Sequence, residues 1–310
     1  MTDEKNLTVV NEFFLTGFQA TKNMRMFLFS LFLVVYCGTI CGNLLIITLV
    51  STSQNLHTPM YFFISQLSVS DILLPTDIVP YMLQILLNNG GTITFIGCMT
   101  QFYFFNVAEG YECLLLTVMS CDRYVAICNP LRYTSIMTST FCVRLVVFFW
   151  LVVFSSSFIY IIIISKLKFC GLYIIDHFFC DLVPLQEISC SDTFPIKLQL
   201  YLLSVPFVVI PTIIIIISYV NIVRAVLQIS ANVSRHKVFS TCSSHLTVVS
   251  IFYLTLFSVY IFPTKGKSSD GNKILSLLYT VLTPLVNPII YSFRNKDMKR
   301  VFRFKKNNKK

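Results

Sequence analysis

The sequence predicts an all-α membrane protein: a seven-transmembrane helix bundle with an extracellular amino terminus and a cytosolic carboxy terminus. Three observations predict it. Charge is scarce, apolar residues gather into seven runs of membrane-crossing length, and basic residues collect on one side of those runs. The 310 residues are 55% hydrophobic and 12% charged, with 29 Phe, and the mean hydropathy is +0.73. Soluble domains carry about 25% charged residues, so hydrocarbon is the main solvent for this chain.

Residues 1–25 are polar and mixed in charge, with no basic start leading into a short apolar core, so no cleavable signal peptide is expected. Asn6-Leu7-Thr8 is a glycosylation sequon, usable only if this end lies outside. The apolar runs follow at residues 26–50, 60–87, 98–119, 143–164, 198–223, 246–262 and 274–293. A span needs about 20 apolar residues, and all seven reach or approach that length. Asp71, Pro75 and Asp77 interrupt the second run, and Glu109 and Glu112 the third. By hydropathy the last two runs are the weakest spans. The chain thus divides into an outer segment (1–25), a membrane domain (26–293) and a basic tail (294–310).

An odd number of spans puts the termini on opposite faces, and charge decides which is which. One set of loops holds Arg123, Arg132, Arg144, Arg224, Arg235 and Lys237. The tail on that face adds Arg294, Lys296, Lys299, Arg300, Arg303, Lys305, Lys306, Lys309 and Lys310, against the two acids Asp122 and Asp297. Basic and acidic residues nearly balance on the other face. Basic residues mark the cytosolic side, which puts Asn6 outside. The net charge of +10 therefore reports topology and contact with anionic inner-leaflet lipid; no nucleic-acid stripe is present. Val301, Phe302 and Phe304 would let the tail lie as a short amphipathic helix on the inner leaflet.

Eleven Cys are present, most of them inside apolar runs, where Cys acts as a small hydrophobe. Four are outside: Cys98 at the head of the third span, and Cys170, Cys180 and Cys190 in the long loop over residues 165–197. In an oxidising compartment these should pair, and spacing leaves three connectivities open.

The stretch from Met119 to Tyr133, MSCDRYVAICNPLRY, joins the third run to a polar loop. Its core is Asp122-Arg123-Tyr124. Further wording recurs along the chain: Gly42-Asn43, then Leu56-His57-Thr58-Pro59-Met60-Tyr61-Phe62, Leu67-Ser68 with Asp71, and Ser218-Tyr219. Lys237 to Leu246 (KVFSTCSSHL) follows, and Asn287-Pro288 with Tyr291 closes the series. In this order and spacing the chain resembles the rhodopsin-like G-protein-coupled receptors, and among them most closely the olfactory receptor family. Ser120-Cys121 before the Asp-Arg-Tyr, Leu254, Asp77 and Tyr81 depart from the family's usual wording.

The resemblance implies disulfides Cys98–Cys180 and Cys170–Cys190. It implies that Asp71, Glu112 and Asn287 form a mid-membrane sodium site; two facing carboxylates repel, so either a cation neutralises them or one holds a proton. An allosteric sodium ion would be the only cofactor, bound in the resting state. It places a ligand pocket between spans three, five, six and seven at Phe105, Asn106, Glu109, Gly110, Phe207, Leu256, Tyr260 and Thr280, with Ser204 and Tyr253 beside them. Such a mostly aromatic lining suits a small volatile odorant, and a cavity-facing Glu109 would suit a donor or an amine. Asp122, Arg123 and Tyr124 would couple to a stimulatory, olfactory-type G protein that raises cyclic AMP. The inner end of span six has no acid to hold Arg123, so the resting clasp would rely on Asp122 and on hydrogen bonds from Tyr219 or Ser240. The family's setting is the plasma membrane of olfactory cilia.

Two other classes share some of these features. A secondary transporter of small molecules also carries intramembrane acids and broken helices, but usually shows paired repeats, and none is visible here. A membrane enzyme needs a nucleophile or a metal cluster, and the four His (57, 177, 236 and 245) are scattered over both faces. His177 and Cys180 have a metal-compatible spacing, but the expected disulfide would consume the thiolate. A receptor and not an enzyme is expected.

Overall fold

A computed structural model describes residues 11–169, 173–190, 194–228, 232–260 and 269–294. It is the expected bundle, with the helices longer than the apolar runs. The rods are α1 (Lys22–Thr52), α2 (Pro59–Asn88), α3 (Phe95–Cys128) and, after the short inner helix α4 (Pro130–Ile136), α5 (Ser139–Ile164). Past the outer-loop helix α6 (Leu182–Glu187), the fifth rod is α7 (Phe194–Ser204) running through a π turn (Val205–Val209) into α8 (Ile210–Leu227). The sixth is α9 (Asn232–Tyr260), and the seventh is α10 (Ser269–Leu277), a π turn (Leu278–Leu282) and α11 (Thr283–Arg294).

Six of the seven rods are long and apolar enough to cross a bilayer on those grounds alone. The exception is α3, not either of the last two. It runs through the centre of the bundle, where Glu109, Glu112 and Asp122 are buried, so it can carry charge that a lipid-facing helix could not. The outer rods show the opposite pattern. Phe148, Leu151 and Phe158 on α5 and Ile213, Ile216 and Ile217 on α8 are all exposed, forming the lipid-facing surface.

Local chemistry sets the helix ends. Thr94 caps α3, accepting from the Gly97 amide at 3.0 Å, and Thr138 caps α5, accepting from Phe141 at 3.3 Å. Pro59 and Pro130 occupy first-turn positions, where the missing N–H costs nothing. Within α11, Pro288 leaves the carbonyl of Pro284 without its helical donor. Asn43 of α1 supplies the replacement, donating to that oxygen at 3.1 Å. A Cβ on Gly42 would meet the Pro288 ring at 3.3 Å, so glycine lets the two helices come this close. The Gly42-Asn43 pair is thus a clamp between spans one and seven.

The amino-terminal segment, for which the sequence suggested no element, forms part of a lid. Strand β1 (Glu12–Leu15) pairs antiparallel with β2 (Gly91–Thr94), matching Glu12 with Thr94, and parallel with β3 (Ile174–Ile175), matching Phe14 with Ile174. Phe13 and Leu15 point inward and pack with Cys98, Cys180 and Ile175. Residues 1–10, with Asn6, and the tail from 295 lie outside the described residues.

Candidate functional site

Phe105, Glu109, Glu112, Leu116 and Arg123 recur on α3 at helical spacing, so one stripe runs from the outer lid to the cytosolic end. At its top Phe105 is buried against Phe179 of the outer loop and Tyr279 of the seventh span, ring centres 5.3 and 5.9 Å away. Cys98 and Cys180 form a disulfide that holds the loop over this point. Cys190 is also disulfide-bonded; Cys170, its expected partner, lies outside the described residues.

One turn down, Glu109 is buried, and neither carboxyl oxygen has a hydrogen-bond partner. Its charged neighbours, Glu112 and Asp181, are both acids. Gly110 is turned to Val153 of α5 and Phe207, 3.4 and 3.8 Å from where a Cβ would sit. Asn106 donates to the Phe102 carbonyl at 2.7 Å, within its own helix. Leu256 belongs to the central core with Phe252 and Tyr253, and Phe207 packs on that core. Thr280, in the π turn, donates to Ser276 at 2.7 Å. The eight expected pocket residues therefore split. Phe105 sits under the lid, Phe207 and Leu256 sit with the central core, and the Tyr260 side chain lies outside the described residues.

The middle of the stripe brings Asp71, Glu112 and Asn287 together. Asn287 donates to both Asp71 oxygens, at 3.0 and 3.2 Å, and also meets Glu112. One Glu112 oxygen, Oε1, has no partner.

At the inner end Arg123 donates to Asp122 through Nε at 3.0 Å and Nη2 at 2.5 Å. Asp122 is fully buried, and its other oxygen accepts from the Tyr133 hydroxyl at 2.8 Å. Helix α4, started by Pro130, puts Tyr133 there; burial, followed by the Asp122 charge, pushes its phenol pKa up. Tyr219 does not complete the clasp. Its hydroxyl meets His245 Nδ1 at 2.5 Å, with His245 fully buried and Nε2 unpartnered. The Ser240 side chain lies outside the described residues. Tyr133 and His245 lie 11 and 26 residues from their partners, a range over which sequence pattern does not show contact.

At the rim, no sequence signal pointed to a buried ion pair. Lys273 of α10 is buried and paired with Asp176 at 2.6 Å. Beside them His177 is buried against Phe178 and Phe179, with Nδ1 unpartnered. Burial first, and then the Lys273 charge, lowers its pKa to about 3. With Cys180 in a disulfide, no thiolate is left to share a metal with His177.

The profile of the olfactory receptor family matches residues 32–306. The chain belongs to the olfactory receptor family. It is 44% identical to Olfactory receptor 11L1 of Homo sapiens over 97% of this chain and 94% of that one. It is 44% identical to Olfactory receptor 5G3 of Homo sapiens over 99% and 98%, and 43% identical to Olfactory receptor 1500 of Rattus norvegicus over 95% of each. The protein is thus an odorant-sensing G-protein-coupled receptor, a multi-pass membrane protein and not an enzyme. In this receptor the outer half of α3 offers an unsatisfied acid, and its inner end holds an arginine clasped to Asp122.

Proposed function

We propose that the receptor binds a small volatile molecule bearing a hydrogen-bond donor, above all an amine, under the lid. The proposed pocket lies between spans three, five, six and seven, and binding there raises cyclic AMP through a stimulatory olfactory-type G protein in the ciliary plasma membrane. The observation that carries the reading is Glu109. Two buried oxygens without donors are costly to leave unmet, and a ligand donor satisfies them. Phe105 and Tyr279 supply the aromatic contact. Ligand binding would shift an existing equilibrium towards an opened inner face. Arg123 would then leave Asp122 and, with the loop carrying Tyr133, receive the G protein.

In the same reading a sodium ion bound by Asp71 and Glu112 holds the resting state. The unpartnered Glu112 oxygen beside the Asn287 amide supports this donor set. Asn6 would carry the glycan, and Cys170 would close the second disulfide with Cys190.

The test is a cyclic AMP reporter screen of cells expressing the receptor, using paired odorants that share a skeleton and differ in bearing an amine, a hydroxyl or neither. Arg123→Ala should reach the surface and give no response. Glu109→Gln should weaken the amine response at least tenfold and leave the matched neutral odorant within about threefold. Equal losses for both ligands would overturn the role of Glu109, and a full response from the Arg123 variant would overturn the coupling.

A further inference from the structure

One intramembrane acid belongs to neither end of the stripe. Asp77 lies on α2, eleven residues before the helix ends at Asn88, hence about 16 Å below its outer end at 1.5 Å per residue. Centred in a hydrocarbon core about 30 Å thick, the 30-residue helix overhangs it by about 7 Å at each end, which leaves Asp77 about 9 Å deep, in the outer leaflet. Its neighbours Leu73 and Thr76 are exposed on the outside of the bundle. There a cleft of about 470 Å³ opens between α2, α3 and α5, lined by Leu73, Thr76, Asp77, Phe104, Trp150 and Phe154 among others. Asp77 Oδ2 is buried without a hydrogen-bond partner, and among the described residues its carboxyl has no ion pair. The Thr76 hydroxyl is already engaged, accepting from Tyr36 at 3.1 Å and donating to Ile72 at 2.6 Å.

The rest of the cleft is a fixed aromatic wall. Trp150 stacks on Tyr111 at 4.0 Å and on Phe154 at 5.5 Å, and Tyr103 holds Phe104 edge-on at 5.2 Å. An unpaired carboxyl at the membrane boundary is costly unless something arrives to meet it. Ring faces attract cations and accept alkyl chains. We propose that this cleft is a second, membrane-facing binding site for a lipophilic primary amine, its ammonium on Asp77 and its hydrocarbon body along Trp150 and Phe154. The acid selects the amine, since a neutral lipid tail offers the carboxyl no donor and no counter-charge. The opening to hydrocarbon sets the route, so the ligand enters from the bilayer, where an amphiphilic amine concentrates. The site is separate from the odorant cavity. Phe104 is exposed at the cleft and Ala108 forms part of its wall, whereas Phe105 and Glu109, one position on, are buried in the bundle and do not line it.

The experiment uses the full-length receptor in phosphatidylcholine nanodiscs, photolabelled with a diazirine-bearing dodecylamine and, in parallel, with the alcohol of the same chain. Labelled peptides are read by mass spectrometry without any odorant, so the outcome does not depend on the signalling proposal. The amine should label the segments around Leu73 and Trp150 at least tenfold more than the alcohol does. Asp77→Asn should remove most of that labelling. Leu73→Trp, which fills the mouth and leaves the acid in place, should do the same and decides the matter if the first variant does not fold. Equal labelling by amine and alcohol, unchanged labelling in the folded variants, or labelling elsewhere in the bundle would each overturn the proposal.

Discussion

The lid ion pair yields an asymmetric prediction, because its two partners see different solvents. Lys273 is 1% exposed and Asp176 49%. Asp176 follows β3 and also accepts from Thr16 at 2.5 Å, so the pair ties the outer sheet to the seventh span. Asp176→Ala strands an ammonium where water does not reach. Breaking a fully buried pair costs about 3–5 kcal/mol; discounting for the half-exposed carboxylate leaves about 2 kcal/mol, roughly a 30-fold change in lid closure. Lys273→Met leaves a carboxylate that water can solvate and keeps the apolar stem packed, so its cost should stay below about 1 kcal/mol. The double variant should then resemble Lys273→Met alone. The assay is a double-mutant cycle of thermal unfolding on the purified receptor in nanodiscs. A lysine variant as damaging as the aspartate variant, or a double variant no better than Asp176→Ala, would refute the claim that stranding the buried charge is what costs.

Two further predictions rest on buried histidines. Because His177 stays neutral in the folded lid to about pH 3 while an unfolded histidine takes its proton near 6.5, the lid loses stability as pH falls below about 6.5. At pH 5 the loss reaches about 2 kcal/mol. Hydrogen exchange across β1 and β3 should quicken between pH 7 and pH 5, and His177→Phe should abolish the difference. In the bundle, Tyr219→Phe would leave His245 Nδ1 without its partner when Nε2 already lacks one, costing about 1–3 kcal/mol. The unliganded receptor should melt measurably lower, and parent-like melting would count against that contact.

Much of the bundle was legible because bilayer thickness imposes one length on every span, and six rods announce themselves by apolarity. The central helix α3 was visible both as an apolar run and through its Asp122-Arg123-Tyr124 ending, although central burial lets it carry Glu109 and Glu112. What stayed hidden is contact at long sequence range. Lys273 counted as one more outer-face charge, yet it is almost wholly buried against Asp176, 97 residues away. The alternation in Glu12–Leu15 spans only four residues, too few to signal a strand. The π turns also left no periodic trace. One is braced by Thr283, whose hydroxyl donates to the Leu278 carbonyl at 2.9 Å, five residues back.

The arrangement of unmet polar groups bears on why such a bundle can switch. A core built for stability alone would satisfy its buried oxygens and nitrogens. Here Glu109, one Glu112 oxygen, the Tyr291 hydroxyl and His245 Nε2 are all left without partners along the bundle interior. Each lowers the stability of this packing relative to another in which the same groups pair. A ligand that satisfies Glu109 needs to shift the balance by only a few kcal/mol to move most of the population. The clamp from Asn43 to Pro284 ties span one to span seven through the Asn43 amide N–H, while its Oδ1 is itself left without a partner. The seam of α8 and α9 is tied by the Tyr219–His245 contact, and Arg123 stands next to it. Deleting an orphan hydroxyl, as a Tyr291→Phe substitution would, should therefore stabilise the resting packing, read as a higher melting temperature of the unliganded receptor.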